Sequence, residues 1–376
     1  MISSGLDLRF TRKLAPFLLS VELSIREGTL VLFGPSGSGK TRTLECIAGL
    51  ETPESGHITL DGRILFRNET GGPSISIPPR LRKIGYVVQD GALFPHMSVI
   101  ENVTYGIRGE RRAGRARGEQ LLDEMGISSL ADRLPREISG GQQRRAAVAR
   151  ALATRPSLLL LDEPFIHLDR IVRARLMADL AALIRHHRTP AVIVTHDIEE
   201  TVSLADHIAV FDEGRIIQHG KKDEVLFSPA SCGIASLLGD VNVLPGTVIG
   251  EANGLWQIQT SGVIWNVAHV GTLARGGPVD VVIRTGAVKI IKPHLPVAQE
   301  LSYNMQRGRV IEVTPRPGAV RIGVLLPGNL VLRGMIPDDT YHRADVKAGD
   351  ERDFAVDPGG ISLFPIEGVR STHYSY

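Results

Sequence analysis

Three uninterrupted apolar runs in the first two-thirds of the chain have the length of buried strands, at residues 29–33, 158–161 and 191–194. Runs of this kind are typical of parallel strands that are covered on both faces. Residues 41–50 follow a helical spacing instead, with Leu44, Ile47 and Ala48 on one face. Apolar strands combined with an amphipathic helix predict an α/β domain.

A two-residue alternation near the start of the chain predicts a small antiparallel sheet. Its apolar positions are Leu6, Leu8, Phe10, Leu19, Val21, Leu23 and Ile25. Asp61-Gly62 lies between two short apolar runs and predicts a hairpin, and Asp212-Glu213-Gly214 predicts another. The sheet of the α/β domain is therefore expected to be mixed.

Residues 97–134 are charged and helical in texture, and they contain a run of basic residues. The run consists of Arg111, Arg112, Arg115 and Arg117, interleaved with glycine and alanine. We interpret it as a solvated loop rather than a nucleic-acid contact, because no aromatic residues accompany it for base stacking.

After about Gly239, short β-like runs separated by glycine turns replace the helical texture. A weak internal repeat is visible here, since residues 246–249 match 308–311 and residues 283–290 match 356–363. The pattern predicts two copies of a small β-barrel unit.

Composition and charge narrow the functional classes. The 376 residues are enough for two or three domains, and 43 basic against 41 acidic residues give a formal net charge of +2. No global field therefore favours nucleic acid or an anionic membrane. The two cysteines, Cys46 and Cys232, make a disulfide framework implausible and fit a reducing compartment. Without a signal peptide or a run of ~20 apolar residues, we expect a soluble protein whose membrane role comes through a partner.

The strongest motif follows the first buried strand and fits the phosphate-binding pattern G-x-x-x-x-G-K-[ST]. It consists of Gly34, Pro35, Ser36, Gly37, Ser38, Gly39, Lys40 and Thr41. A glycine loop between strand and helix lets backbone N–H groups and a helix N-terminus surround an anion. Lys40 would reach the β- and γ-phosphates of a nucleotide, and the Thr41 hydroxyl would bind Mg²⁺. The flanking strand and helix favour this interpretation over a plain glycine-rich turn.

Polar residues follow the other two buried strands. Asp162 and Glu163 come at the strand end where open α/β sheets bind ligands. We expect Asp162 to hold Mg²⁺ and Glu163 to orient and polarise the attacking water. His196 is expected to contact the γ-phosphate. Gln89 follows a further short strand at residues 83–88.

A second helix start that could bind an anion is predicted after residue 138. Ser139 is a natural N-cap, and Gly140 and Gly141 allow close backbone approach before Gln142. A strong helix is predicted at residues 146–153. Taken alone, the segment indicates no more than a capped helix.

Together these motifs resemble the ATPase subunit of an ABC transporter over residues 1–235. The resemblance implies a P-loop ABC ATPase domain, with a mixed sheet and a helical subdomain at about residues 90–155. A β-rich, tandem OB-like regulatory domain would follow at residues 240–376. In that family residues 34–41 are the Walker A loop and residues 158–163 the Walker B strand. Gln89 is the Q-loop glutamine and His196 is the switch histidine. The resemblance implies that both take part in catalysis together with Glu163, and that Gln89 also lies near the metal.

The resemblance also implies partners. Ser139, Gly140, Gly141 and Gln142 belong to the family's signature, which contacts the ATP of a second copy, so a homodimer is expected to enclose two ATP molecules. Asp169 would lie at the dimer seam. Two transmembrane permease subunits, and indirectly a solute-binding protein, would complete a complex at the cytoplasmic face of the inner membrane. No nucleic acid is implied.

The sequence departs from the family pattern in two places. Ile166 and His167 replace small residues at the dimer seam, and His167 is not expected to be catalytic. The segment that often carries an adenine-stacking aromatic has none, and Phe10 and Phe17 are the nearest candidates.

The β-rich appendage favours an importer, and residues 77–80, 85–90 and 93–96 most resemble molybdate importers. Fe³⁺, sulfate and polyamine importers are the alternatives. In molybdate proteins a related β module can bind the oxyanion through a Ser-x-Arg-Asn-like segment. Residues 301–304 resemble this segment, with Asn304 kept but no arginine, which suggests the hypothesis that this domain binds an oxyanion. A non-transport ABC ATPase acting on nucleic acid or the ribosome is the alternative of another class. The single Walker A loop, the lack of heptads and the near-neutral charge disfavour it.

Overall fold

A computed structural model describes residues 5–166, 168–268, 271–292 and 296–366 of the chain. The chain divides into two compact units, Met1–Ser228 and Pro229–Tyr376. Within the described ranges, no helix combines the length and the apolar character that crossing a membrane requires.

The first unit alternates strands and helices. Its strands are β1 (Leu6–Lys13), β2 (Leu18–Ile25), β3 (Thr29–Phe33), β4 (Ser55–Leu60), β5 (Arg63–Asn68), β6 (Ile75–Ser76), β7 (Ile84–Val87), β8 (Leu158–Asp162), β9 (Ala191–Thr195), β10 (His207–Asp212) and β11 (Arg215–Lys221). Its helices are α1 (Lys40–Ala48), α2 (Val99–Thr104), α3 (Arg111–Glu124), α4 (Gly140–Ala153), α5 (Arg170–His187), α6 (Ile198–Leu204) and α7 (Lys222–Phe227).

These strands form one mixed sheet in the order β6-β5-β4-β1-β2-β11-β10-β3-β9-β8-β7. The neighbours from β10 to β7 run parallel to one another. The three apolar runs of the sequence are β3, β8 and β9, and every residue in these strands is buried. Burial on both faces explains why these runs do not alternate, and it confirms the predicted buried strands.

From β6 to β2 the neighbouring strands are antiparallel, as the alternating pattern predicts, whereas β2 runs parallel to β11. In the β1–β2 pair, Leu8 lies opposite Leu23, and the apolar side chains of both strands are buried except that of Leu18. Asp61-Gly62 joins β4 to β5, and Glu213-Gly214 joins β10 to β11. All four turn residues have positive φ, the backbone that a two-residue hairpin turn requires. Both predicted hairpins are therefore confirmed.

The basic run lies on a helix, so the interpretation as a loop was wrong. It occupies the first half of α3, where Gly114 and Gly118 are buried. A Cβ on Gly118 would come within 2.5 Å of a methyl carbon of Thr104, so glycine allows α3 to pack closely on α2. The small residues that suggested a loop thus serve helix packing, while the arginines stay at the surface.

The second unit is rich in β-structure, as predicted. Its strands are β12 (Val241–Ala252), β13 (Leu255–Thr260), β14 (Val263–Val267), β15 (Pro278–Arg284), β16 (Val288–Ile290), β17 (Met305–Arg316), β18 (Ala319–Leu326), β19 (Leu330–Pro337), β20 (Glu351–Val356) and β21 (Ile361–Pro365). Its helices are α8 (Cys232–Leu238), α9 (Gln299–Ser302) and α10 (Asp338–Ala344). The strands form two five-stranded antiparallel sheets, β14-β13-β12-β15-β21 and β16-β20-β17-β18-β19.

The internal repeat is visible in the structure, and its last strand is exchanged between the copies. β12 and β17 are both 12 residues long and carry a bulge at equivalent places, after Val248 and after Val310. β15 and β20 each lead through a 3₁₀ turn into β16 and β21. β16 then pairs with β20, and β21 pairs with β15. Each sheet therefore takes an edge strand from the other repeat.

The Asn304 side chain joins the two sheets, which contradicts its expected role in oxyanion binding. Its side chain is 0 % exposed. Its Oδ1 accepts from the N–H of Asn266 at 2.7 Å, and its Nδ2 donates to the Asn266 carbonyl at 2.9 Å. Asn242, at the start of the first repeat, makes the same pair of bonds with the backbone of Arg333. Since the Asn304 amide is buried and bonded to the opposite sheet, it does not face a ligand.

Candidate nucleotide site

The carboxyl ends of β3, β8 and β9 meet at one edge of the sheet. Phe33 of β3 lies opposite Thr195 of β9, and Asp162 of β8 lies opposite Val194. The phosphate-binding loop, the acidic pair and His196 follow these adjoining strand ends. Parallel pairing thus gathers motifs that are far apart in the sequence.

The glycines of the loop before α1 are required by its backbone. Gly34, Gly37 and Gly39 have φ values of 151°, 81° and 103°. A Cβ on Gly34 would also lie 2.2 Å from the carbonyl oxygen of Phe211. Because α1 begins at Lys40, directly after the loop, the partial positive charge of the helix N-terminus lies beside it.

The Lys40 side chain forms hydrogen bonds with the backbone of the loop. Its Nζ donates to the carbonyl oxygens of Gly34 at 2.9 Å and Pro35 at 2.7 Å, and it lies 3.3 Å from the Ser38 hydroxyl. The residue is only 4 % exposed, and burial lowers the pKa of its ammonium group. The opposing charges of Glu163 and Asp162 favour the protonated form. The loop therefore carries a fixed cation next to its backbone N–H groups.

Thr41 and Asp162 form an oxygen pair that suits Mg²⁺. The Thr41 hydroxyl donates to Asp162 Oδ1 at 3.0 Å, and the Tyr86 hydroxyl lies 3.4 Å from Asp162 Oδ2. Burial raises the pKa of Asp162, although the hydrogen bond from Thr41 opposes the shift. A hydroxyl and a carboxylate are hard oxygen donors of the kind Mg²⁺ prefers, so the residues present fit this ion.

Glu163 and His196 are brought into contact. His196 Nδ1 lies 3.3 Å from Glu163 Oε1, and the Glu163 N–H donates to the carbonyl of Val194 at 3.0 Å. Glu163 has a φ of 43°, a conformation that a residue with a long side chain rarely adopts. Strain of this kind is concentrated at functional sites, which supports a functional role for Glu163.

Two cavities meet at Glu163. One, of about 610 Å³, is lined by the phosphate-binding loop together with Lys40, Thr41 and Glu163. The other, of about 130 Å³, is lined by Glu163 and His196 among others. The Glu163 carboxylate therefore borders both the space beside the loop and the space beside the histidine.

Gln89 lies in the exposed turn after β7, the strand that pairs with β8. Its carbonyl oxygen accepts a short hydrogen bond from the buried guanidinium of Arg144. In the described part of the chain, no hydrogen bond joins the Gln89 side chain to Thr41 or Asp162. The structure places Gln89 at the same sheet edge but does not bring its side chain to the oxygen pair of Thr41 and Asp162.

The second helix start has the expected cap but a longer helix. α4 begins at Gly140, six residues before the predicted start. Ser139 Oγ accepts from the Gln142 N–H at 3.4 Å, and Gln142 Oε1 accepts from the Ser139 N–H at 2.9 Å. This capping box satisfies the helix N-terminus and starts the helix at the glycines. Ser139 and Gly140 are exposed, and among described residues neither lines the 610 Å³ cavity.

At the predicted dimer seam, Asp169 has a local structural role. Its Oδ1 accepts from the N–H groups of Ile171 at 3.1 Å and Val172 at 3.0 Å, which caps α5. Ile171 is 82 % exposed. Ile166 is half-buried, and His167 lies outside the described residues.

The two candidate adenine-stacking residues differ in their surroundings. Phe10 is 1 % exposed and belongs to the core of the first unit. Phe17 lines the 610 Å³ cavity together with Ala15 and Pro16, beside the phosphate-binding loop. Of the two, only Phe17 borders the space beside this loop.

Arg173 forms an ion pair with Asp197, the residue after His196, and was not identified from the sequence. It lines the same small cavity as His196, and its Nη1 lies 2.7 Å from Asp197 Oδ2. Asp197 caps α6 directly after His196 by accepting from the N–H of Glu199 at 2.7 Å. No sequence pattern marks this contact, because Arg173 is one of several arginines on α5.

Comparisons with known proteins agree with this geometry. A family model for the ABC transporter matches residues 18–166. An Fe(3+) ions import ATP-binding protein of Brucella abortus is 40 % identical over 286 residues, covering 74 % of this chain and 78 % of the relative. Its counterpart in Haemophilus influenzae strain Rd is 39 % identical over 245 residues, covering 64 % of this chain and 67 % of the relative. The chain belongs to the ABC transporter family.

A solved structure of an ABC protein supports the fold as well. The structure of cbiO1 from Clostridium perfringens, part of an ABC transporter complex, matches with a TM-score of 0.52 and 27 % identity. The match covers 59 % of this chain and 90 % of that one. The predictions of an ABC ATPase fold, of ATP binding and of ATP hydrolysis coupled to import are confirmed. The iron in the relatives' names does not support the predicted preference for molybdate.

Proposed function

We propose that this ABC ATPase powers the import of Fe³⁺, the ion named for its relatives in Brucella abortus and Haemophilus influenzae. The match to the Brucella protein spans 286 residues, more than the length of the ABC family model on this chain. Iron import was an alternative to molybdate on sequence grounds, and the relatives favour it.

The contact between Glu163 and His196 beside the phosphate-binding loop carries the catalytic proposal. The Glu163 carboxylate would hold the attacking water and accept its proton, because it borders both cavities. His196 would position the γ-phosphate from the other side of that carboxylate. The buried Lys40 ammonium would stabilise negative charge on the phosphate oxygens.

Thr41 and Asp162 are the proposed ligands of Mg²⁺ at this site, since their oxygens lie 3.0 Å apart. Bound there, the ion would neutralise charge on the β- and γ-phosphate oxygens. Gln89 is proposed to join them from its exposed turn. The protein's own part is to hold a hydroxyl and a carboxylate at the strand edge beside Lys40.

We also propose that a second copy of the chain completes the site. Ser139 and Gly140 are exposed at the capped start of α4, and they do not border the loop cavity among the described residues. The exposed Ile171 near Asp169 is an apolar surface that a second copy would cover. In the proposed complex the dimer acts on two permease subunits at the cytoplasmic face of the membrane, supplied by a solute-binding protein.

Replacing Glu163 by glutamine tests the catalytic proposal. Glu163→Gln keeps the shape of the side chain but removes the proton acceptor, so ATP binding should persist while turnover falls by at least about 100-fold. Nucleotide affinity and phosphate release measure the two effects separately. Glu22→Gln, at a side chain that is 75 % exposed, is the matched control and should hydrolyse ATP normally. An unchanged turnover in Glu163→Gln would remove this residue from catalysis.

Uptake in the host organism tests the proposed cargo. A strain without this gene should lose uptake of radiolabelled ferric iron under iron limitation, while molybdate and sulfate uptake stay at parental levels. Reintroducing the gene should restore iron uptake, and the Glu163→Gln form should not. Loss of molybdate or sulfate uptake in place of iron uptake would contradict the cargo proposal and leave the catalytic one intact.

A further inference from the structure

Two helices of the first unit bring together three side chains that the nucleotide site does not use. Glu124 is the last residue of α3, and His186 and His187 are the last residues of α5. One ligand atom from each of the three side chains lies within 4.8 Å of the others. His187 Nε2 is 2.8 Å from Glu124 Oε2, and the two imidazole rings are 5.0 Å apart at an interplanar angle of 79°.

The surrounding backbone favours a positive charge at this cluster. α3 and α5 both end here, and the C-terminus of a helix carries a partial negative charge from its free carbonyl groups. The two helices have 14 and 18 residues, so both have a full macrodipole. Two helix ends and one carboxylate therefore meet beside two imidazoles.

The carboxylate is already oriented for a ligand. Gln120 Nε2 donates to Glu124 Oε1 at 2.7 Å, which leaves Oε2 directed at His187. Support of this kind from a neighbouring side chain is typical of metal-binding carboxylates. The side chains of His187 and Glu124 are 14 % and 19 % exposed, whereas His186 is exposed to solvent.

We propose that Glu124, His186 and His187 bind a divalent transition-metal ion such as Zn²⁺ or Fe²⁺. Two imidazoles and one carboxylate are the donors these ions share, and three protein ligands leave coordination positions for water. The donor set does not suit Mg²⁺, which prefers oxygen ligands. The site is separate from the oxygen pair of Thr41 and Asp162, and it goes beyond the proposed import function.

Nearby arginine side chains are expected to limit the affinity of this cluster for a metal ion. His187 also borders a cleft of about 650 Å³ that is lined by Arg117 and Arg188. Their charges oppose a cation, and the ion must also replace the contact between His187 and Glu124, so micromolar rather than nanomolar binding is expected. An ion held here would tie the end of α3 to the end of α5.

A titration of the full, tag-free chain tests the proposal. Excess Mg²⁺ and ADP are present throughout, so that oxygen ligands near the nucleotide are occupied. Co²⁺ should give visible absorption bands of a nitrogen–oxygen site that saturate at one ion per chain, and Zn²⁺ should displace them. The Zn²⁺ affinity is then measured by calorimetry.

Substitutions identify the ligands. Glu124→Gln and His186→Ala should each weaken Zn²⁺ binding by at least about tenfold, and His186→Ala removes an exposed side chain without breaking the Glu124–His187 contact. Glu119→Gln on α3 and His342→Ala, at an exposed histidine in the last turn of α10, are matched controls that should bind like the parent chain. No saturable Co²⁺ spectrum, or equal Zn²⁺ affinity in all variants, would overturn the site.

Discussion

Asp162 illustrates how a proposed magnesium ligand can lower the stability of the fold that holds it. It is 4 % exposed, and burial raises the pKa of its carboxyl group. The folded chain therefore holds this proton more tightly than the unfolded chain does. The contribution of Asp162 to stability is favourable below its unfolded-state pKa and is lost as the pH rises through its folded-state pKa. At neutral pH the ionised carboxylate is a cost that Mg²⁺ and Thr41 would offset.

Asp162→Asn should thus stabilise the nucleotide-free chain at neutral pH while abolishing ATP hydrolysis. The amide still accepts from Thr41 but carries no buried charge, so the melting temperature of the first unit should rise by ~2–4 °C. Scanning calorimetry at neutral and acidic pH measures the change, and the gain should shrink as the pH falls. Asp132→Asn, at an exposed carboxylate, is the control and should leave the melting temperature unchanged. A lower melting temperature for Asp162→Asn at neutral pH would be inconsistent with this account.

At the scale of single elements, α2 and α4 both begin with a capping box. Ser98 and Ser139 each cap a helix and form a capping box, with Glu101 on α2 and Gln142 on α4. Their local energetics are therefore matched, although only Ser139 belongs to the segment that resembles the family's signature. The pair separates helix capping from nucleotide contact.

Ser98→Ala and Ser139→Ala should each cost about 1 kcal/mol of unfolding free energy, because each leaves a helix N–H without its cap. Only Ser139→Ala should also reduce ATP hydrolysis, by about tenfold or more, since its hydroxyl would contact the partner's ATP. Urea unfolding and steady-state phosphate release provide the two measurements. Equal loss of hydrolysis in both variants would show that capping alone explains the effect.

Asn242 and Asn304 join the two sheets of the second unit through side-chain hydrogen bonds. Each binds the backbone of an edge strand in the opposite sheet, so the two repeats are joined by reciprocal hydrogen bonds. Removing one amide leaves a buried N–H and a buried carbonyl without partners.

Asn304→Ala should therefore destabilise the second unit by ~1–3 kcal/mol without changing the turnover of ATP. Gln299→Ala, at an exposed amide on α9, is the control and should be neutral. Hydrogen exchange at the β14 amides measures the loss of protection locally. Full protection in Asn304→Ala would refute the structural role assigned to this residue.

At the scale of the whole molecule, pattern predicted the parts of the fold that repeat regularly. The sequence predicted the buried strands β3, β8 and β9 and the alternating strands β1 and β2, because the spacing of apolar residues depends on which faces of a strand are buried. The helix at the basic run was not predicted, because Gly114 and Gly118 are residues typical of loops. Only the close packing of α3 on α2 explains why glycine occurs there. The repeat in the second unit was visible, but no local signal shows that β16 and β21 change sheets.

The candidate site was predictable as residues but not as contacts. Position in the sequence identified these residues, because Lys40 follows the glycine loop, Asp162 ends a buried strand and His196 follows another. The positive φ of Glu163 and the ion pair between Arg173 and Asp197 depend on tertiary packing that joins distant segments. The expectation that Asn304 helps to bind an oxyanion was wrong for the same reason, since its hydrogen-bond partner Asn266 lies 38 residues away in the sequence.

We propose that ATP bound by one chain is enclosed by the N-terminus of α4, with its cap Ser139, from a second chain. Size-exclusion chromatography with light scattering on Glu163→Gln, with and without Mg²⁺ and ATP, tests it most directly. The account predicts a shift from the 40.8 kDa chain to twice that mass when ATP is added, and no shift when Ser139→Ala is combined with it. A Glu163→Gln chain that binds ATP but stays monomeric at high concentration would contradict this dimer.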